Sequence, residues 1–302
     1  MPAETIVPPP SFPTAVVMLA LDDRDPWVVD AVVAAHQRLG LRQVLVVHVV
    51  AEDDRPLELS AGLSAAPVLR PLGFDAAVEQ LVGRLGPVAQ VRAELRVGTA
   101  PDVLSALIQA HDVDLLVMGR DAAVDGGVGW GPAGRDLLRA ARCSVLVVPQ
   151  GARWEGLRAV TGLDFSSCSS MALQVAVHLA DAVEAVTQYA PDGGHDGAPT
   201  ADDFADHLTE NARRHFEDVV LPELVGGVRP TLAVRAGDSA ADLLLAHAGD
   251  DLLVVGSRGL SALATVLLGS TAETLAGRAA GPVLVVRRKG EVLGVVEGLF
   301  HR

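Results

Sequence analysis

Asp114-Leu-Leu-Val-Met-Gly119 returns, almost unchanged, as Asp251-Leu-Leu-Val-Val-Gly256. Two flanking segments repeat in the same order. Thr14-Ala-Val-Val-Met-Leu-Ala-Leu-Asp22 resembles Leu157-Arg-Ala-Val-Thr-Gly-Leu-Asp164, and Ser144-Val-Leu-Val-Val148 resembles Pro282-Val-Leu-Val-Val286. Asp22 and Asp164 are 142 residues apart, Gly119 and Gly256 137, and Ser144 and Pro282 138. Three collinear matches at nearly one spacing make the 302-residue chain a tandem duplication. The expected division is a mobile arm over 1–13, a first domain over 14–150, a linker over 151–157, a second domain over 158–288 and a tail over 289–302.

Each half alternates short apolar runs with helical patterns. Strands are expected at 15–21, 43–50, 91–97, 114–118 and 144–148, and again at 158–163, 183–189, 230–236, 251–255 and 282–286. Helices are expected at 26–39, 74–86, 100–111 and 132–141, then at 168–180, 202–220, 239–248 and 270–279. The strands are continuously apolar, as parallel strands covered on both faces must be. Phe204, Leu208, Ala212, Phe216 and Val219 recur every three or four residues and predict one buried helix stripe. The fold class is α/β: two doubly wound, five-stranded parallel-sheet domains, Rossmann-like, in tandem. Such sheets bind ligands beyond the carboxyl ends of their strands.

Composition narrows the chemistry. The net charge of −14 argues against a nucleic-acid partner held by phosphate neutralisation. Two cysteines exclude a disulfide framework and a four-cysteine zinc site. Lys289 is the single lysine, so internal Schiff-base chemistry and the lysine-bearing phosphate loop are excluded. No apolar run is long enough to span a bilayer, and Met1 to Pro13 lacks a signal-peptide pattern. A cytoplasmic protein with no membrane partner is expected.

After the fourth strand of the second half comes Gly256-Ser257-Arg258-Gly259, and Gly269-Ser270-Thr271 opens the next helix, a G-x2-G-x9-G-S spacing. Gly256 is expected to keep the strand end clear for a ligand, and Gly259 to take a backbone conformation closed to other residues. Gly269 is expected to let the main chain approach a phosphate. Ser270 and Thr271 then offer hydroxyls and amides at a helix N-terminus, where an anion is favoured without any lysine, and Arg258 adds a charge-assisted contact. The same residues also read as ordinary turn and capping residues, with Ser270 or Thr271 as N-cap and Glu273 as capping-box partner.

With these residues in hand, the two halves resemble universal stress protein domains over nearly all of residues 14–288. Gly256, Gly259, Gly269 and Ser270 match that family's G-x2-G-x9-G-S/T pattern, and Asp164 matches its aspartate at the end of the first strand. The resemblance implies an adenine-nucleotide site in the second half, with ATP, and Mg²⁺ carried chiefly by its phosphates. Asp164 would lie at the adenine–ribose end, and the glycine loop would hold ribose and phosphates. The implied residues are Asp164, Tyr189, Val255, Gly256, Arg258, Gly259, Gly269, Ser270 and Thr271; Tyr189 stands where the family often has a small aliphatic residue near the base. The resemblance also implies a pseudo-dimer within the chain through strands 144–148 and 282–286, with a further homodimer open.

The first half departs from the pattern. Its Gly119-to-Gly131 loop is one residue shorter, Ala122 replaces the second glycine, and Pro132 replaces the serine, losing hydroxyl and amide together. Asp121 and Asp125 add negative charge, while Trp130 offers a contact in a glycine-rich stretch. This half is expected to be structural or regulatory.

Other constellations have plainer readings. His207 and His215 are eight apart, too far for a two-ligand metal pair, and suit a solvated helix face. Cys168 beside Asp164 is a small loop residue or a reactive thiol, and Cys143 is core. Ser239 and Ser261 lack the nucleophile elbow. Arg287-Arg288-Lys289 is a solvated flank, and Val292 to Phe300 a final strand or docking segment. The residues suggest a stress-response protein that binds ATP in its second domain, with slow hydrolysis at most. The alternatives are a nucleotide-free interaction module and, ranked last, an adenylyl transferase or synthetase of the wider nucleotide-binding superfamily.

Overall fold

The repeated apolar segments are central strands of one sheet. In the first half β1 (Thr14–Met18), β2 (Gln43–Val50), β3 (Gln90–Val97), β4 (Leu115–Arg120) and β5 (Ser144–Pro149) alternate with helices α1 (Asp25–Leu39), α2 (Phe74–Leu85), α3 (Ala100–Ala110) and α4 (Pro132–Ala140). In the second, β6 (Arg158–Gly162), β7 (Ala182–Tyr189), β8 (Thr231–Ala236), β9 (Leu252–Gly256) and β10 (Val283–Val286) alternate with α5 (Ser167–Leu179), α6 (Ala201–His215), α7 (Ala240–Ala248) and α8 (Ser270–Arg278). The computed structural model describes residues 11–51, 73–121, 129, 132–190, 201–258 and 268–288. Ala122, Asp125, Trp130, Gly131, Gly259, Ser261, Lys289 and the stretch from Val292 to Phe300 lie outside that set, as do the side chains of Pro132 and Phe204.

The strand order is β3-β2-β1-β4-β5-β10-β9-β6-β7-β8, so two doubly wound halves share a single ten-stranded sheet. Every neighbouring pair is parallel except β5 and β10, which run antiparallel with Val147 opposite Val283, Leu146 opposite Leu284 and Val145 opposite Val285. These six side chains are buried, and each fully buried aliphatic group contributes about 1.5–3 kcal/mol. The reversal at this seam sends the carboxyl ends of the two halves' strands to opposite edges of the sheet. Helices α1, α2 and α5 cover one face, with Val32, Phe74 and Leu173 in its core. Helices α3, α4, α7 and α8 cover the other, with Leu104, Leu137, Leu244 and Leu275. Both cores run unbroken across the seam. No described helix is long and apolar enough to cross a membrane.

Several boundaries differ from expectation for identifiable reasons. β1 ends at Met18 because the amides of Ala20 and Leu21 turn to donate to the Asp25 carboxylate, both at 2.9 Å, with Leu21 at φ 62°. Phe12, placed in a mobile arm, is only 6% exposed, and its amide donates to the Leu39 carbonyl. In the expected linker, Ala152 and Leu157 are buried in the core and Trp154 packs against it.

The predicted stripe on α6 also slips. Residues Phe216–Val220 form a π-helical turn, which adds one residue to the repeat. Phe216 and Val220 are buried, whereas the predicted Val219 is exposed.

The strand ends explain one glycine directly. A Cβ on Gly256 would lie 2.9 Å from the main-chain carbon and oxygen of Cys168, in the first turn of α5. Gly256 therefore lets α5 close onto β9, on the face away from the cleft described below, which corrects the expectation that it clears space for a ligand. Gly256→Ala is expected to lower stability by about 1–3 kcal/mol, the usual cost of forcing extra volume into a packed core; a chemical denaturation midpoint equal to wild type would contradict this role.

Candidate functional site

At the carboxyl edge of the second half a cleft of about 400 Å³ opens between the ends of β6, β7 and β9 and the starts of α7 and α8. This lies within the usual range of small-molecule sites. Three kinds of group converge on it. Asp164, from the turn after β6, supplies a carboxylate whose Oδ1 accepts from the Ser166 amide at 3.1 Å. Val255, Gly256, Ser257 and Arg258 bring the end of β9 to the floor. Gly269, Ser270, Thr271 and Ala272 bring the first turn of α8.

That turn differs from the other helix starts nearby. Ser166 accepts from the Ser169 amide at the start of α5, and Ser239 from the Asp242 amide at the start of α7, both at 3.2 Å. Helix α8 instead begins at Gly269, whose amide donates to the Ser257 carbonyl at 2.8 Å, and among the described residues no side chain caps it. Its first-turn residues Ser270, Thr271 and Ala272 border the cleft at the positive end of the helix dipole. Gly269 itself has φ −67°, which any residue adopts, and a Cβ there would meet the Ser257 carbonyl oxygen at 3.3 Å. Its value is the thinness of the main chain, not conformational freedom.

The opposite wall is apolar. Leu163, Val186, Ala240, Leu243 and Leu244 line it, and Leu244 reaches within 2.9 Å of where a Gly162 Cβ would stand. Gln188 completes the wall, with its amide nitrogen donating to the Gly237 carbonyl.

Of the sequence-predicted residues, Asp164, Val255, Gly256, Arg258, Gly269, Ser270 and Thr271 line this cleft. Gly259 lies outside the described residues. Tyr189 is not among the lining residues. Successive residues of a strand face opposite sides. With Val186 and Gln188 on the cleft side, Tyr189 falls on the other, the side of Val183 and Ala185. Gln188 is the residue that sequence reasoning missed, and counting parity from the buried Val186 would have found it.

Other side chains take structural places. His207 and His215 are exposed, and the His215 ring meets the Phe165 ring edge-on with centroids 4.9 Å apart. Cys143 is buried, which pushes its thiol up to about 12. Cys168 is half-buried in the first turn of α5.

Two expectations are corrected. Glu273 is no capping-box partner, because its carboxylate is gripped by Arg139 of α4 at 2.9 and 3.0 Å. Arg287 is no solvated flank: its guanidinium donates to the carbonyls of Leu138, at 2.8 Å, and Ala141, at the end of α4. In both cases the partner comes from the other half, more than 130 residues away in sequence.

The sequence profile of the universal stress protein family matches this chain twice, over residues 17–149 and 157–287. The chain belongs to the universal stress protein family. A universal stress protein of Mycolicibacterium smegmatis is 39% identical over 82 residues, covering 26% of this chain and 28% of the relative; the match thus spans little more than a quarter of that curated relative's length. Among solved structures, a functionally unknown protein from Pseudomonas aeruginosa superposes with a TM-score of 0.67 at 14% identity, over 95% of this chain and 96% of that one. A universal stress protein from Archaeoglobus fulgidus superposes with a TM-score of 0.56 at 18% identity, over 91% and 98%. At these identities the structures speak to the shared fold.

Within this universal stress protein the first half is built differently at the matching edge. The Arg24 guanidinium pairs with Asp22, counterpart of Asp164, and with Asp121 at 3.3 Å. This arginine holds the Asp22 carboxyl below the usual carboxylate range. Arg24 also lies over Gly119, its Cβ 3.4 Å from where a glycine Cβ would stand. Asp25 accepts the amides of Ala20 and Leu21, while Asp22 accepts the Arg24 amide at 2.9 Å, as Asp164 accepts that of Ser166. An arginine thus stands two residues after the first half's turn aspartate, where the second half has Ser166.

Proposed function

We propose that the second half binds an adenine nucleotide, ATP, in the cleft beside α8, and that the first half serves a structural or regulatory role in a stress response. The observation that carries this is the start of α8 at Gly269, uncapped among the described residues and bordering a cleft whose other wall is apolar. A phosphate chain suits the amides of Ser270, Thr271 and Ala272, assisted by Arg258. Ribose suits Asp164, and the base suits the wall of Val186, Leu243 and Leu244, with the Gln188 amide at hand. Magnesium enters on the phosphates, whose oxygens are the ligands it prefers.

Nucleotide released from freshly purified full-length protein and quantified by chromatography should amount to one adenine nucleotide per chain, and stripped protein should rebind ATP with that stoichiometry. Two per chain would contradict the reading of the first half, with its departures from the glycine pattern, as structural or regulatory. No affinity for ATP up to millimolar concentration with Mg²⁺ would leave the interaction module as the better reading.

A further inference from the structure

Helices α4 and α8 are equivalent elements of the duplication and lie against each other across the seam. Arg135 in α4 and Glu273 in α8 are 138 residues apart, the same separation as Ser144 and Pro282, so they occupy matching positions. They carry opposite charges and face each other: Arg135 Nε lies 3.5 Å from the Glu273 carboxylate. Arg139, one turn further along α4, grips both oxygens of the same carboxylate, with Nε 3.0 Å from Oε2 and a terminal nitrogen 2.9 Å from Oε1. Two arginines of the first half thus converge on one acid of the second.

The position of that acid gives the arrangement a consequence. Glu273 lies one turn into α8, its amide donating to the Gly269 carbonyl that starts the helix. Ser270, Thr271 and Ala272, immediately before it, line the cleft. The axial rise from Ser270 to Glu273 is only about 5 Å, well inside the roughly 8 Å over which salt screens a charge under physiological conditions. An unpaired carboxylate there would repel any anion at the start of α8. If two identical halves met through this surface, like charges would confront each other at this position.

We propose that the first half regulates anion binding in the second by clamping Glu273: Arg135 and Arg139 neutralise the carboxylate beside the cleft, so the binding half depends on its sibling for full affinity. This rests on the reading of the cleft as a nucleotide site. It predicts that a ligand's sensitivity to the clamp grows with its phosphate charge and vanishes for the uncharged nucleoside.

The test is titration of the full chain with ATP plus Mg²⁺, and with adenosine, at low and high salt. Four proteins are compared: wild type, Arg135→Ala/Arg139→Ala, Glu273→Gln, and the triple variant. The double variant should bind ATP roughly two- to tenfold more weakly at low salt, with the difference shrinking at high salt and adenosine affinity unchanged. Adding Glu273→Gln to the double variant should restore ATP binding, because no naked carboxylate then remains. Unchanged ATP affinity in the double variant, an equal loss for adenosine, or failure of Glu273→Gln to rescue would each overturn the clamp. The rescue arm also separates charge from misfolding, since a damaged seam would not be repaired by removing a second partner. Wild-type protein that binds no ATP would instead bring down the reading of the cleft itself.

Discussion

Gly269→Asp is expected to abolish nucleotide binding while leaving the fold intact. Gly269 is the N-cap of α8, with φ −67° and ψ 144°, a conformation that aspartate adopts readily. Aspartate is among the best N-cap residues, so its carboxylate would accept from the amides of Thr271 or Ala272, which no described side chain caps in the native helix. The new Cβ would meet the Ser257 carbonyl at 3.3 Å, a tight contact that a small shift relieves. Capping gain and crowding largely offset, and stability should stay within about 1 kcal/mol of wild type. Binding should suffer twice, because the donors are taken and a negative charge stands where the phosphates belong. A hydrogen bond to a charged group is worth about 1.5–3 kcal/mol, so the affinity for ATP should fall by at least about a hundredfold. Gly269→Ala supplies the bulk without the charge and should cost about tenfold or less. Thermal denaturation beside ATP titration reads both effects, and a Gly269→Asp protein that folds and still binds ATP like wild type would remove the phosphates from α8.

The parts of this molecule legible in its sequence are those fixed by local periodicity. A parallel strand buried on both faces must be apolar at every position, so β1, β4, β5, β9 and β10 declare themselves as uninterrupted runs. The duplication declares itself because both copies keep those runs. What stayed hidden depends on contacts that periodicity does not encode. Val219 gave way to Val220 because a single π turn shifts the repeat by one residue. Tyr189 lost its place in the cleft to Gln188 because at a strand end the face of each residue is known only from the register of its neighbours.

The glycine loop is a subtler case, since its pattern is compatible with two physical causes. Gly256 answers to the backbone of α5, whereas Gly269 leaves a helix start open toward the cleft. On the proposed reading of the cleft, one motif mixes a packing requirement with a binding requirement. The ionic links across the seam were hidden for another reason. Glu273 looks like a capping residue, and Arg287 like a solvated flank, until the antiparallel pairing of β5 with β10 brings α4 beside each of them.

The largest effect on stability is expected at the same seam, from Arg120→Ala. Arg120 ends β4 and is 1% exposed. Its guanidinium donates to the Asp121 carbonyl at 2.9 Å and to the carbonyl of Ala279, which closes the C-terminus of α8 in the other half. Its Nε has no hydrogen-bond partner among the described residues. Burial pushes its pKa down to about 10, so a cation is held where the charged form is disfavoured, partly compensated by the helix C-terminus it caps. Truncation to alanine would leave a cavity and a carbonyl without its donor, a combined loss of about 3–5 kcal/mol. Arg120→Met would fill most of the space without burying a charge, and should fall within about 2 kcal/mol of wild type.

The pH dependence separates the two causes. Burial holds the folded pKa, at about 10, below the ordinary arginine value, so above about pH 10 the unfolded chain holds more protons than the folded one. Wild-type stability measured relative to Arg120→Met should therefore improve as the pH rises past that point. Cys143, whose thiol is raised to about 12 from 9.0, acts in the opposite sense. The folded protein keeps its proton where the unfolded thiol has lost it, so stability falls between about 9 and 12, equally in both proteins, and this cancels from the comparison. Denaturant midpoints for the three proteins at neutral and alkaline pH are the measurement. An Arg120→Met protein as unstable as Arg120→Ala would show that the guanidinium's hydrogen bonds, rather than the volume it fills, hold β4 against α8.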